Sequence, residues 1–132
     1  MRQESVRSSQ GDLGGVMHRV ESALRQLPET LRVTDLARET GVSARTLYRA
    51  FARHRGAPPI TSLRRSRLEG VRRRLRAAAP GDTVTEAALD WGFSHLGRFA
   101  QHYARCFGER PSETLRRARE IQEAPSAAQS VA

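Results

Sequence analysis

Residues 85–103 read TEAALDWGFSHLGRFAQHY, and residues 34–51 read TDLARETGVSARTLYRAF. Each places a short helical run before a glycine, a polar residue able to cap a helix after it, and then a longer run with apolar residues at three-and-four spacing. Ala37 and Gly41 recur as Ala88 and Gly92 at an offset of 51, while Leu47 and Phe51 recur as Phe99 and Tyr103 at an offset of 52. The second turn is therefore one residue longer. A repeat of this kind predicts two helix-turn-helix units in one chain. A small helical bundle that repeats by coincidence is the plain alternative.

Outward from these stretches no segment shows the period-2 alternation of strands, so the expected fold class is all-α: two helix-turn-helix subdomains joined by a long connecting helix, about seven helices in all. The first helix is expected from about Val16 to Leu27, stopped by Pro28. Thr34 can cap a short helix to about Glu39, and Ser43 can cap the next, which runs to about Arg55 before Gly56 and the Pro58, Pro59 pair. The connecting helix is expected over about Ile60 to Ala78. Thr83 or Thr85 opens a short helix to about Asp90, Ser94 can cap one to about Phe107, and Pro111 with Ser112 starts a last helix fading near Ala124. The organisation is thus a polar, disordered tail over 1–15, a first unit over 16–58, the connecting helix over 59–80, a second unit over 81–124 and a disordered tail over 125–132.

Composition narrows the function. The chain has 132 residues, 14 acidic and 23 basic, all of the latter arginine, for a formal net charge of +9. That length allows one domain or two very small ones, and that charge makes a polyanion the leading partner. Cys106 is the single cysteine, which excludes an internal disulfide framework and a zinc site built on several thiolates, and fits a reducing, cytoplasmic setting. No run approaches the roughly 18 apolar residues of a membrane span, so no membrane partner is expected. His18, His54, His95 and His102 lack the HxxxH or HExxH spacing of a metal site, the carboxylates are scattered, and no GxxxxGK loop is present to hold a nucleotide. No enzyme, no catalytic residue, no metal and no cofactor are expected.

In the helix opened by Ser43, a 100° projection puts Ala44, Leu47, Ala50, Phe51 and His54 inside and Arg45, Arg49, Ala52 and Arg53 outside, with Thr46 and Tyr48 flanking the exposed face. Arginines at i and i+4 suit a major groove, because guanidinium forks reach guanine O6 and N7 in pairs; a solvated arginine face is the alternative. In the second such helix Leu96, Phe99, Ala100, Tyr103 and Phe107 project inward, and His95, Arg98, Gln101, His102 and Arg105 outward. Gln101 can pair with adenine and Arg98 with guanine or phosphate. Gly97 reads nothing itself and permits close approach.

The string WGFSHLGRFAQHY from Trp91 to Tyr103, continuing through Phe107, Gly108 and Pro111 to SETLRR, resembles the second helix-turn-helix signature of AraC/XylS-type transcriptional regulators. DLARETGVSARTLYRAF from Asp35 to Phe51, and the Arg67, Leu68 pair, resemble the same family, so the likeness covers roughly residues 16–119. The departures are Tyr103 for a common Phe, Leu115 for a common aromatic, Val71 for Ala and Ala87 for a larger aliphatic. The resemblance implies sequence-specific DNA binding by two recognition helices inserted into successive major-groove segments, with the connecting helix holding their separation. Carried over by position, Arg45, Tyr48 and Arg49 face bases in the first unit, and Gly97, Arg98 and Gln101 in the second. Ser43, Arg53, Ser94, His95 and Arg105 are the accompanying phosphate-contact candidates. The implied partners are double-stranded DNA and RNA polymerase. With two different recognition faces in one chain, a monomer is expected on DNA unless the chain is part of a longer dimeric regulator.

The connecting helix carries Arg64, Arg65, Arg67, Arg72, Arg73, Arg74 and Arg76 around an apolar stripe. These residues either contact phosphates or form a solvated face. Gly70 in its middle weakens it by roughly 1 kcal/mol relative to alanine. Trp91 is expected to cover the small core of the second unit, and Cys106 to be a buried small apolar residue. Two other readings compete with a sequence-specific regulator: a non-specific basic nucleic-acid-binding protein, and the DNA-binding fragment of a larger sensor regulator or repair protein.

Overall fold

A computed structural model describes residues 13–131. Among these residues seven α-helices follow one another: α1 Leu13–Ala23, α2 Val33–Thr40, α3 Ala44–Arg55, α4 Pro59–Ala77, α5 Val84–Asp90, α6 Leu96–Phe107 and α7 Pro111–Val131, with a 3-10 turn at Leu24–Gln26 after α1. No strand occurs among the described residues. No helix among them is long and apolar enough to cross a membrane.

The chain divides into two compact units, one ending at Ser66 and the other beginning at Arg67, so α4 contributes its first residues to one unit and the rest to the other. In the first unit α1 packs on α3 and α2. Val16, Val20, Leu36, Leu47, Ala50 and Phe51 are almost wholly enclosed there. In the second unit Leu68, Val71 and Leu75 of α4 join Ala87, Ala88, Phe93, Phe99, Tyr103, Leu115 and Ala118 in one apolar cluster.

Local chemistry sets most helix ends, and several differ from the sequence reading. Helix α1 starts at Leu13, earlier than Val16, because Leu13 is itself buried and extends the Val16, Val20 stripe; the other residues of the expected tail, 1–12, lie outside the described residues. Helix α2 starts at Val33, so Thr34 is not its cap. The Arg32 backbone N–H instead donates to the Asp35 carboxylate (3.1 Å), a residue placed three positions on to reach back. At its far end Gly41 adopts a left-handed φ of 74°, and its N–H donates to the Ala37 carbonyl. The backbone of α7 is helical through Val131, beyond the end near Ala124 that the sequence suggests. Ala127 and Ala128, which have the highest intrinsic helix propensity, follow Pro125 there.

Candidate nucleic-acid interface

Each unit displays one helix after its glycine turn. Ser43 caps α3: the Thr46 N–H donates to its Oγ (3.1 Å), and the Thr46 hydroxyl bonds that same oxygen at 3.0 Å. Thr46 is consequently buried and does not flank the exposed face, while His54, expected inside, is exposed. The burial of Thr46 follows from the cap, which draws it toward the turn. Leu47, Ala50 and Phe51 form the enclosed face of α3. Arg45, Tyr48, Arg49 and Arg53 stand exposed on the other side, Tyr48 half in solvent at 50 %.

The cap of α6 is His95 rather than Ser94, with its Nδ1 accepting the Arg98 N–H at 3.0 Å. The single extra residue of the second turn moves the cap to the position that aligns with Ser43 at the offset of 52, which is why a fixed search for serine or threonine misses it. Because Nδ1 accepts, the ring proton of the neutral imidazole sits on Nε2. Gly97, Arg98, Gln101 and Arg105 are exposed on α6, as are Ser94 and His95. Leu96 and Ala100, expected inside, are exposed, and His102, expected outside, is half-buried. The core takes a narrower stripe than the projection allots, with Phe99 and Tyr103 as its two fully enclosed members and Phe107 only partly covered.

The second unit's core is a chain of rings. Phe93 and Phe99 lie 4.8 Å apart between centroids, Phe99 and Tyr103 5.8 Å, and Tyr103 and Phe107 4.7 Å in an edge-on contact, within the range where tilted aromatic pairs attract. Phe93, in the turn, was not singled out by periodicity because it belongs to no helix. Tyr103 donates its hydroxyl proton to Thr114 Oγ1 (2.7 Å), Thr114 donates to Glu109, and Glu109 pairs with Arg117 at 2.8 Å. Burial pushes the Tyr103 hydroxyl above its ordinary pKa, and the Thr114 hydrogen bond, aided by Arg117, holds the Glu109 carboxyl below the usual carboxylate range.

Three arginines of α4 turn inward instead of presenting themselves to a polyanion. Arg67 is buried and donates from Nη1 to the Trp91 carbonyl at 2.8 Å. Arg72 lies over the Phe107 ring at 4.6 Å. Arg74 bonds both Asp82 (3.2 Å) and Asp90, tying the turn before α5 and the last residue of α5 to α4. Arg64, Arg65, Arg73 and Arg76 remain exposed, and Arg73 also reaches the Trp91 ring at 5.8 Å. Gly70 has a reason that the sequence does not show: a Cβ there would meet the Trp91 ring at 2.5–2.6 Å. The arginine run was thus legible as charge, and its inward members were not, because their partners lie 8 to 35 residues away in sequence. Among the described residues no group of His, Cys, Asp and Glu is arranged to hold a metal ion.

A family model described as a helix-turn-helix domain matches residues 36–117. The chain is 44 % identical over 103 residues to XylDLEGF operon transcriptional activator 3 of Pseudomonas putida, covering 77 % of this chain and 30 % of that protein. It is 43 % identical over 89 residues to the "Probable thc operon regulatory protein" of Rhodococcus erythropolis, covering 67 % and 27 %. The chain therefore spans less than a third of the length of these relatives. Among solved structures, a "probable AraC family transcriptional regulator" from Rhodopseudomonas palustris superposes with a TM-score of 0.63 at 37 % identity, over 87 % of this chain and 97 % of that one. An AraC-type DNA-binding domain-containing regulator from Chromobacterium violaceum gives 0.68 at 26 % identity, over 84 % and 95 %. With the family model covering most of its length and both helix-turn-helix units in place, the chain belongs to the AraC/XylS-type helix-turn-helix family.

Proposed function

We propose that this chain is the duplex-DNA reader of a transcriptional regulator, recognising an asymmetric sequence through α3 and α6 in separate major-groove segments. The observation that carries the reading is the exposure of a different set of long polar side chains on each post-turn helix, Arg45, Tyr48 and Arg49 on α3 and Arg98 and Gln101 on α6, while the opposite faces anchor the cores. Arginine and glutamine are the residues that pair bidentately with guanine and adenine. Ser43, Arg53, Ser94, His95 and Arg105, exposed around these faces, hold the helices on phosphates without reading sequence. The relatives' names, an operon activator and an operon regulatory protein, support a role at promoters, with RNA polymerase as the protein partner. Since both reading helices lie in one chain and their faces differ, one copy suffices for a site, and no palindrome is required.

Selection of binding duplexes from a random pool, followed by alanine substitution, tests this. Replacement of Arg45, Arg49, Arg98 or Gln101 is expected to cost roughly 1 to 3 kcal/mol on the selected duplex and to relax preference at one base pair. Arg53→Ala and Arg105→Ala are expected to weaken selected and random DNA alike and to lower the salt slope by about one. Equal losses on both DNAs for the first four would mark a non-specific polyanion binder, and selection of a perfect inverted repeat would overturn the single-copy reading.

A further inference from the structure

Gly97 sits in the first turn of α6 with an exposed, ordinary helical backbone; it is absent from the glycines with positive φ. A Cβ at this position would meet only the His95 ring, 3.6 Å from Cε1 and 3.8 Å from Nδ1, which is normal van der Waals contact. Neither backbone conformation nor packing asks for glycine, and alanine propagates a helix better. Gly70 is the opposite case, since its Cβ would run into the Trp91 ring at 2.5 Å.

The two post-turn helices align at an offset of 52. Gly97 corresponds to Arg45 and Gln101 to Arg49. At both positions the second unit carries the shorter side chain: nothing against an arginine, and a glutamine whose amide ends two bonds short of a guanidinium. For Gln101 to touch a base edge, the axis of α6 has to lie closer to the groove floor than an arginine-bearing helix would need. A side chain at position 97, one turn before Gln101 on the same exposed side, would hold the helix off.

We infer that Gly97 is a clearance position that lets α6 seat deeply enough in the major groove for Gln101 to read a base. This rests on the DNA-reading function proposed above and assigns Gln101's share of the second unit's specificity to a missing side chain beside it. Arg98, whose N–H is fixed on His95, and His95 itself are the exposed polar residues that flank the gap.

The test uses the full chain and a duplex that the unaltered chain selects from a random pool. Gly97→Ala and Gly97→Leu are expected to unfold at the same or a higher temperature, since both residues favour helix. Their affinity for the selected duplex is expected to fall by about tenfold and by more than tenfold respectively, the first equivalent to about 1.4 kcal/mol. Affinity for random duplex stays within about threefold, a change under 1 kcal/mol. Adding Gln101→Ala to Gly97→Leu is expected to cost nothing further, whereas Gln101→Ala alone relaxes one base pair. Full affinity in Gly97→Leu, equal losses on random DNA, a lowered unfolding temperature in Gly97→Ala, or additive losses in the double variant would each overturn the inference. If Gln101→Ala and Arg45→Ala also leave selected-site binding intact, the DNA-reading assignment itself falls; if Gln101→Ala relaxes specificity while Gly97→Leu binds normally, only the clearance role falls.

Discussion

Set side by side, α3 and α6 share an outline and differ in almost every side chain that matters for recognition. Both follow a glycine turn, both bury an aromatic residue at matching positions, Phe51 and Tyr103, and both are capped at aligned positions. One cap is a serine that engages a threonine; the other is a histidine ring. One exposed face carries two arginines and a tyrosine, the other a glycine, an arginine and a glutamine. The lesson is that the repeat preserves the scaffold's demands, namely turn, cap and core aromatic, and leaves the exposed positions free to diverge. Two unlike exposed faces on like frames are what the proposed reading of an asymmetric site calls for.

The comparison breaks most forcefully in the cores. Phe99→Ala is expected to remove roughly 3 to 5 kcal/mol from the second unit, because Phe99 touches both Phe93 and Tyr103 in the line of rings; Phe51→Ala should do comparable damage to the first unit. Thermal unfolding monitored by circular dichroism checks this, and a Phe99→Ala chain with its full helical signal and unshifted midpoint would remove Phe99 from the anchoring role. Gly70→Ala is expected to lower the second unit's stability by about 1 kcal/mol net, the displaced Trp91 ring outweighing the better helix propensity of alanine. A rise in midpoint would mean that Trp91 moves aside freely. Smaller still, Ser43→Ala and His95→Ala are each expected to cost around 1 kcal/mol through the lost cap. A cost for Ser43→Ala alone would show that the imidazole does not substitute for a hydroxyl.

The fold was largely legible because its signals are local: the two glycine turns, the proline and glycine stops and the three-and-four spacing all act within a few residues. The exposure of Arg45, Tyr48, Arg49, Gly97, Arg98 and Gln101 was legible for the same reason, since exposure on a helix follows from its period, whereas Thr46, His54, Leu96, Ala100 and His102 fall on the other side from the one that period allots. What escaped was set by distant partners or by unusual chemistry. His95 replaced the expected Ser94 because an imidazole nitrogen accepts as well as a hydroxyl. Arg67, Arg72 and Arg74 turned inward toward Trp91, Phe107, Asp82 and Asp90. In the sequence Tyr103 stands out only as a departure from a common Phe, whereas its hydroxyl starts the bonded series through Thr114 and Glu109 to Arg117.

Trp91, the only tryptophan of the chain, is held by the Gly70 approach, the Arg73 guanidinium and the Arg67 bond to its carbonyl. All of these lie in the second unit, so indole fluorescence is an optical label that nature has placed on one half of the molecule. Emission on heating reports the environment of that half, while far-ultraviolet dichroism reports helices from both. Coincident transitions would mean that the two units melt together, and separated ones would give each unit its own stability from a single unlabelled sample.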